Sequence, residues 1–179
     1  MKYQIKKFWW KLRYSLYRLF GKQIYIGARP NISSEAILDF SGGGAITIGN
    51  NCDVQSYAII TTHCGNIKIG DNFAVAPFSI LYGGGGLTIG DNVIIASNTI
   101  VIPANHNFDR IDIPIKNQES KKRGIVIKDD VWIGAGCTIC DGVVIGKGCV
   151  IGAGSIVTKS LPDYSVAVGM PAKVIKKRG

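Results

Sequence analysis

The stretch from Ile127 to Pro162 cuts into six consecutive hexads without a gap: IKDDVW, IGAGCT, ICDGVV, IGKGCV, IGAGSI and VTKSLP. Each opens on an aliphatic residue (Ile127, Ile133, Ile139, Ile145, Ile151, Val157), and the second place is Gly in three of the six. The fifth place is small or branched: Val131, Cys137, Val143, Cys149, Ser155, Leu161. Such a period matches neither the helical repeat nor two-residue alternation over so long a run, which argues against an ordinary helix or hairpin. It is the signature of a parallel β-solenoid, in which each hexad is a short flat strand plus a corner and the first-place aliphatic points inward. Three hexads then close one triangular coil of eighteen residues.

Looser coils index back from this regular one. Coil starts fall at Ile26, Ile48, Ile69, Ile89, Ile127 and Ile145, with spacings of 22, 21, 20, 38 and 18. The small excesses contain Gly42 to Gly44 and Gly83 to Gly86, read as corner loops. The excess of twenty in the fourth coil (38 minus 18) is a protruding loop, about 105–124, with the sequence NHNFDRIDIPIKNQESKKRG. A long loop on a rigid scaffold is where function is expected. The chain thus divides into an N-terminal segment over 1–25, a β-solenoid over 26–162 and a C-terminal tail over 163–179.

In the first segment Ile5, Phe8, Trp9, Leu12, Leu16, Leu19 and Phe20 recur at helical spacing among Lys6, Lys7, Lys11, Arg13, Arg18 and Lys22, which predicts one basic amphipathic helix. Charges interrupt every apolar run, so it is neither a transmembrane span nor a secretory signal. Its first reading is a cap over the solenoid's open end. Its second is a peripheral membrane contact on the anionic inner face. Lys plus Arg outnumber Asp plus Glu by 21 to 12, which calls for an anionic partner; nucleic acid has only net charge in its favour. Cys52, Cys64, Cys137 and Cys149 all count to the small fifth place and read as core filler in a reduced, cytoplasmic protein. Cys137 and Cys140 form a lone CxxC without the second pair a zinc site needs, so no metal is expected.

The only histidines are His63 and His106, both on the third face of their coils, with Tyr82 on the coil between. Coils stack about 4.8 Å apart, so two steps separate the imidazoles by roughly 10 Å. They are too far apart to touch easily and close enough to line one pocket. His106, at the root of the large insertion, reads as a general base. His63 reads first as a surface residue and second as an acceptor contact.

The hexads, the loop NHNFDRIDIPI, the segments VWIGAGCTI and VIGAGSIVTKSLP and the tail VGMPAKVIKKR together resemble the left-handed β-helix hexapeptide acyltransferases. Within them the likeness is greatest to sugar and polysaccharide O-acetyltransferases of the colanic-acid and lipopolysaccharide type, related to the galactoside and maltose acetyltransferases. The resemblance spans Ile26 to Arg178 and implies an all-β, left-handed parallel β-helix and a homotrimer with active sites between subunits. It also implies acetyl-CoA as donor, bound along Ala96, Trp132, Gly134, Ala135, Ala153, Thr158, Lys159 and Lys173, with His106 as catalytic base. A straight groove of small residues suits the pantetheine arm, and the two lysines suit its phosphates. His63, Tyr82, Asn105 and Asp109 are the candidate acceptor contacts. The Asn and Asp that the small-sugar enzymes use align with Ala76 and Gly84, so acceptor recognition differs here.

The expected reaction moves acetyl from acetyl-CoA to a sugar hydroxyl in cell-surface polysaccharide or its lipid-linked precursor. His106 takes the proton as oxygen attacks the thioester, and a backbone N–H near Gly134 or Ala135 steadies the oxyanion. Asp109 and Asp112 read first as a solvated loop face and second as orienters of the imidazole. Two alternatives stand beside this: N-acetylation of an amino-sugar nucleotide, for which the same base and donor serve, and a non-catalytic scaffold solenoid. A zinc hydratase needs three histidines and has two.

Overall fold

The computed structural model describes residues 15–17 and 19–179. These form a parallel β-solenoid whose three faces are stacked sheets. The first face stacks Gln23–Ile26, Ala45–Ile48, Ile67–Ile69, Leu87–Ile89, Ile125–Ile127 and Val144–Ile145. The third stacks Ile37–Asp39, Ile59–Thr61, Ile80–Tyr82, Ile100–Val101, Thr138–Ile139 and Ile156–Val157. The second runs from Asn31–Ile32 through Asp53–Val54, Ala74–Val75, Ile94–Ile95, Trp132–Ile133 and Val150–Ile151. It then takes up the C-terminal segment: Ser165–Gly169 pairs parallel to Val150–Ile151, and Ala172–Lys177 folds back antiparallel upon it. The end of the chain is therefore a hairpin extending that sheet.

Register follows the hexads. Ile26, Ile48, Ile69, Ile89, Ile127 and Ile145, the six coil starts, pair in one column on the first face. Ile32, Val54, Val75, Ile95, Ile133, Ile151 and Ala167 form the inner column of the second face. Leu38, Ile60, Leu81, Val101, Ile139 and Val157 form that of the third. Apart from half-buried Ile26, all of these are buried, so the core is three aliphatic ladders leaning on one another.

The corner between the first and second faces shows why Gly follows the coil-start isoleucine. Asp71 Oδ1 accepts the N–H of Asn50, Asp91 Oδ1 that of Asp71, and Asp129 Oδ1 that of Asp91, at 2.7, 2.7 and 3.0 Å. This ladder of side chains satisfies backbone donors that a corner leaves outside the sheets. A Cβ on Gly70 would lie 2.2 Å from Asp91 Oδ1, so the ladder requires a glycine there.

Two expectations change. The helix expected over residues 1–25 lies mostly outside the described residues, and so does the membrane contact read from it. Ser15, Leu16, Tyr17 and Leu19 are helical, but strand begins at Gln23, because that segment pairs with Ala45–Ile48. Tyr17 meets the first coil: its ring lies 5.2 Å from that of Phe40, and its hydroxyl donates to the Leu38 carbonyl at 3.1 Å. Among the described residues no helix is long and apolar enough to cross a membrane. The second change concerns cysteine. Cys52, Cys137 and Cys149 are buried as fifth-place residues, whereas Cys64 is exposed. It follows His63 in a corner where both residues take positive φ (41° and 68°), which turns the thiol out of the core.

Candidate active site

Every insertion falls at one corner, where the third face turns into the first. There the second coil spends Thr62 to Asn66, the third Gly83 to Gly86 and the fourth Ile102 to Gly124. The largest is tied down at both ends. At its root Asp141, whose side chain is 2% exposed, accepts the N–H groups of Arg123 and Gly124 at 2.9 and 3.0 Å and Arg123 Nε at 3.1 Å. Inside it, buried Gln118 donates to the carbonyls of Arg110 and Ile113 and accepts the Arg110 N–H. Across its neck Asn105 and Lys121 exchange both N–H···O bonds at 2.8 Å, an isolated antiparallel bridge. These ties fix where His106 sits relative to the corner stack below.

That stack forms a cleft of about 380 Å³, lined by His63, Tyr82, Asn105, His106, Ser120 and Lys122 over a floor that includes Gly84. The two imidazoles do share one pocket, with Tyr82 between their levels and its ring edge-on to His63 at 5.9 Å. The floor is open because Gly84 has no side chain: a Cβ there would come within 3.3 to 3.6 Å of the His63 carbonyl, the His63 ring and Ala104 Cβ. His106 is exposed, and among the described residues its imidazole makes no hydrogen bond. A free imidazole edge in a sugar-sized cleft is what a general base needs before substrate arrives.

Asp109 and Asp112 do not orient His106. Asp109 pairs with Lys121 Nζ at 2.8 Å and Asp112 with Arg110, both exposed on the loop's outer side. The Arg110 guanidinium holds the Asp112 carboxyl below its ordinary value. Asp109 does not line the cleft either. Ser120 and Lys122 do line it and were not anticipated, since only the fold-back at the Asn105–Lys121 bridge reveals which loop side chains face inward.

The residues matched to the donor groove split between two corners. Ala96, Gly134, Ala135 and Ala153 follow the second-face strands and stack at the second-to-third corner, bound through Ala96 N–H to Ile133 O, Gly134 N–H to Ile151 O and Gly154 N–H to Ala135 O. Lys173 lies beyond them, paired with Val168 in the terminal hairpin. Trp132 stands half-exposed on the outer second face beside Ile94 and Val150. Thr158 and Lys159 follow Ile156–Val157 and belong to the His106 corner, two coils above it. A single chain therefore gathers His63, Tyr82, Asn105 and His106, and does not bring them to the small-residue corner. The Gly134 N–H is spent on the sheet, whereas the Ala135 N–H has no acceptor among the described residues. Among the described residues no three His, Cys, Asp or Glu gather into a set that holds a metal ion.

With this geometry in view, comparison with known proteins is specific. Residues 124–159 match the family model "Bacterial transferase hexapeptide (six repeats)". The chain is 30% identical over 158 residues to "Probable acetyltransferase Rv3034c" of Mycobacterium tuberculosis, which covers 88% of this chain and 49% of that protein. It spans about half the length of the curated relatives it matches. Among solved structures, it is similar to AntD, an N-acyltransferase from Bacillus cereus, in complex with dTDP and 3-hydroxybutyryl-CoA. There the TM-score is 0.78 at 32% identity over 92% of this chain and 88% of that one. A hexapeptide-repeat acetyltransferase of Vibrio cholerae, complexed with acetyl-CoA, aligns at a TM-score of 0.58 and 26% identity over 94% of this chain and 78% of that one. The matched repeats and a similar structure of matching length at 32% identity agree, and the chain belongs to the hexapeptide-repeat transferase family.

Proposed function

We propose that this protein transfers an acetyl group from acetyl-CoA to the amine of an amino sugar carried on a nucleotide, with His106 as general base. The observation that carries the reading is His106 itself: an exposed imidazole, unbonded within the chain, opening on a sugar-sized cleft at the root of the largest insertion. The choice of amine over the hydroxyl expected from sequence follows the likeness to AntD, a mutant of which has been crystallised with dTDP-4-amino-4,6-dideoxyglucose and coenzyme A.

The chemistry asks little more of the protein. The neutral amine attacks the thioester carbonyl carbon, the carbonyl electrons move onto oxygen, and the proton leaving nitrogen passes to His106. Collapse of the intermediate breaks the C–S bond, and the thiolate departs and takes up that proton. The free Ala135 N–H is the backbone donor available to the oxyanion. No acyl-enzyme forms.

The family resemblance implies a homotrimer, and the placement of base and small-residue groove at different corners fits a closed ring in which each chain lends His106 to the groove of its neighbour. Ala96 shares the fourth coil with His106, while Ala135 and Ala153 rise through the fifth and sixth. The thioester thus belongs at the lower end and the CoA phosphates at the top, near Lys159 and Lys173.

The test is product chemistry. The protein is incubated with acetyl-CoA and, in parallel, a dTDP-linked amino sugar and hydroxyl-only saccharides, and products are treated with alkaline hydroxylamine. A stable acetylated product from the amino sugar is expected, since amides survive and esters do not. A labile product would restore the hydroxyl acceptor, and no CoA release above background with any acceptor would overturn the reading.

A further inference from the structure

The charges around the cleft are sorted by side. Asn105 and Lys121 form a hydrogen-bonded antiparallel pair that folds the far side of the loop back across the neck. Lys121 faces outward and pairs with Asp109, and Arg110 pairs with Asp112. Arg123 is held by buried Asp141. His106, Ser120 and Lys122 fall on the inner side and line the cleft.

Lys122 differs from those three cations. Among the described residues it has no ion-pair partner, and no Asp or Glu lines the cleft it faces. An ammonium left unpaired beside a cavity, while its neighbours are neutralised, gives that cavity a positive potential. The bridge also sets its place: with Asn105 opposite Lys121 in an antiparallel pair, Lys122 lies on the root side of the bridge, as Ala104 does, and Ser120 on the far side, as His106 does. Gly84 lies beneath Ala104, so the floor on the Lys122 side is the one without a side chain.

We propose that Lys122 is the anion-binding residue of the acceptor site, and that the acceptor carries an oxyanion held there while its nucleophile meets His106. This rests on reading the cleft as the acceptor site. A diphosphate linking sugar to nucleoside and a carboxylate on a uronic acid offer the same chemistry to an ammonium. Ser120, on the same inner side, adds a neutral donor for a second oxygen.

The test is calorimetric titration of the full chain with dTDP and, separately, glucuronic acid at low salt. It uses the parent, Lys122→Ala, Lys122→Arg and, as a control on the same loop outside the cleft, Lys116→Ala. One probe is expected to bind, with Kd rising about tenfold in Lys122→Ala, as loss of one charge-assisted hydrogen bond implies. Lys122→Arg should stay within about threefold because the charge remains. Lys116→Ala should match the parent, and added salt should narrow the differences. A response to dTDP assigns the anion to a diphosphate, and one to glucuronic acid assigns it to a carboxylate. Binding of neither probe, equal binding by parent and Lys122→Ala, or equal weakening by Lys116→Ala overturns the proposal. The titration needs no turnover, so Lys122-dependent binding by a chain that transfers no acyl group would sink the proposed reaction and leave this site standing.

Discussion

The two corners that flank the third face close the same coils by opposite rules. Where the second face turns into the third, every coil from the second onward uses one left-handed residue at the same place: Tyr57, Phe78, Asn98, Gly136 and Gly154, with φ between 61° and 72°. No residue is inserted there, and the geometry repeats so closely that the Tyr57 and Phe78 rings stack 5.3 Å apart. Where the third face turns into the first, no two of the lower coils turn alike: His63 and Cys64 make one corner, a glycine run the next, and residues 102–124 the fourth. A corner that repeats builds a straight edge of constant pitch, suited to a long thin ligand common to a family. A corner that changes at every coil builds a cavity shaped by that one stretch of chain, suited to a particular acceptor.

The sharpest way to break this comparison is to disable each corner in a separate chain. His106→Ala should lower kcat by about 10²- to 10⁴-fold, the usual share of a general base, with the fold intact because the residue lies outside the aliphatic ladders. Ala135→Trp should block the groove and be as inactive. Coexpressed in equal amounts, the two inactive chains should regain about a quarter of the parent activity, because each mixed ring of three contains one interface with both halves intact. No recovery in purified mixed rings would place base and groove within one chain.

Lys173→Ala tests the far end of the straight edge, and Lys159→Ala the upper end of the His106 corner, both lysines being assigned to the phosphates of the donor. Each should raise KM for acetyl-CoA about tenfold, the loss of one charge-assisted contact, and leave KM for the acceptor near its parent value. Equal effects on both substrates would assign these lysines to the acceptor instead.

How much of this was legible in the sequence follows the same division. The six coil starts, read from hexads alone, are the six members of the first-face column, because a buried aliphatic repeated at fixed period leaves no other register. The insertion sites and the shared pocket of His63 and His106 came from the same counting. Counting failed where the coil stops being regular. Cys64 occupies a fifth place by number and lies outside by conformation, since two consecutive positive φ values redirect it. The partners of Asp109 and Asp112, and the inward turn of Lys122 beside outward Lys121, depend on how a loop folds back on itself, which no periodicity encodes.

A smaller effect separates space from strain at the regular corner. A Cβ on Gly134 would lie 2.6 Å from the Ala153 backbone nitrogen, so Gly134→Ala forces one coil off the next and should cost about 1–3 kcal/mol in denaturant unfolding. Gly136 has open space around it and φ of 68°, so Gly136→Ala meets only backbone strain, about 1 kcal/mol. Gly136→Asn should be milder still, because Asn98 already takes this conformation one coil below. If Gly136→Asn costs more than Gly134→Ala, packing between coils is not what sets the glycine pattern.

The smallest effect concerns the side-chain ladder at the remaining corner. Hydrogen bonds from the Asn50 backbone and side chain hold the Asp71 carboxyl below its ordinary value of 3.8. Asp39, bonded by Thr61 and Ser41, and Asp163, bonded by Lys128, are lowered in the same direction. A carboxyl whose folded value lies below its unfolded one binds a proton more readily in the unfolded chain. Its contribution is therefore complete above about pH 4 and is lost as pH falls through the folded value. The parent should lose thermal stability on going from about pH 5 to pH 3, where these groups protonate. Asp71→Asn cannot titrate, yet keeps an oxygen for the Asn50 N–H, as Asn50 itself does for Ala28 at 2.7 Å. At neutral pH its Tm should differ from the parent's by no more than about 2 °C, because the exposed site is well screened. Its acid-side fall should be the shallower of the two. An identical or steeper fall in Asp71→Asn would mean that the ladder works through its geometry alone, with the carboxylate charge playing no part in holding this corner closed.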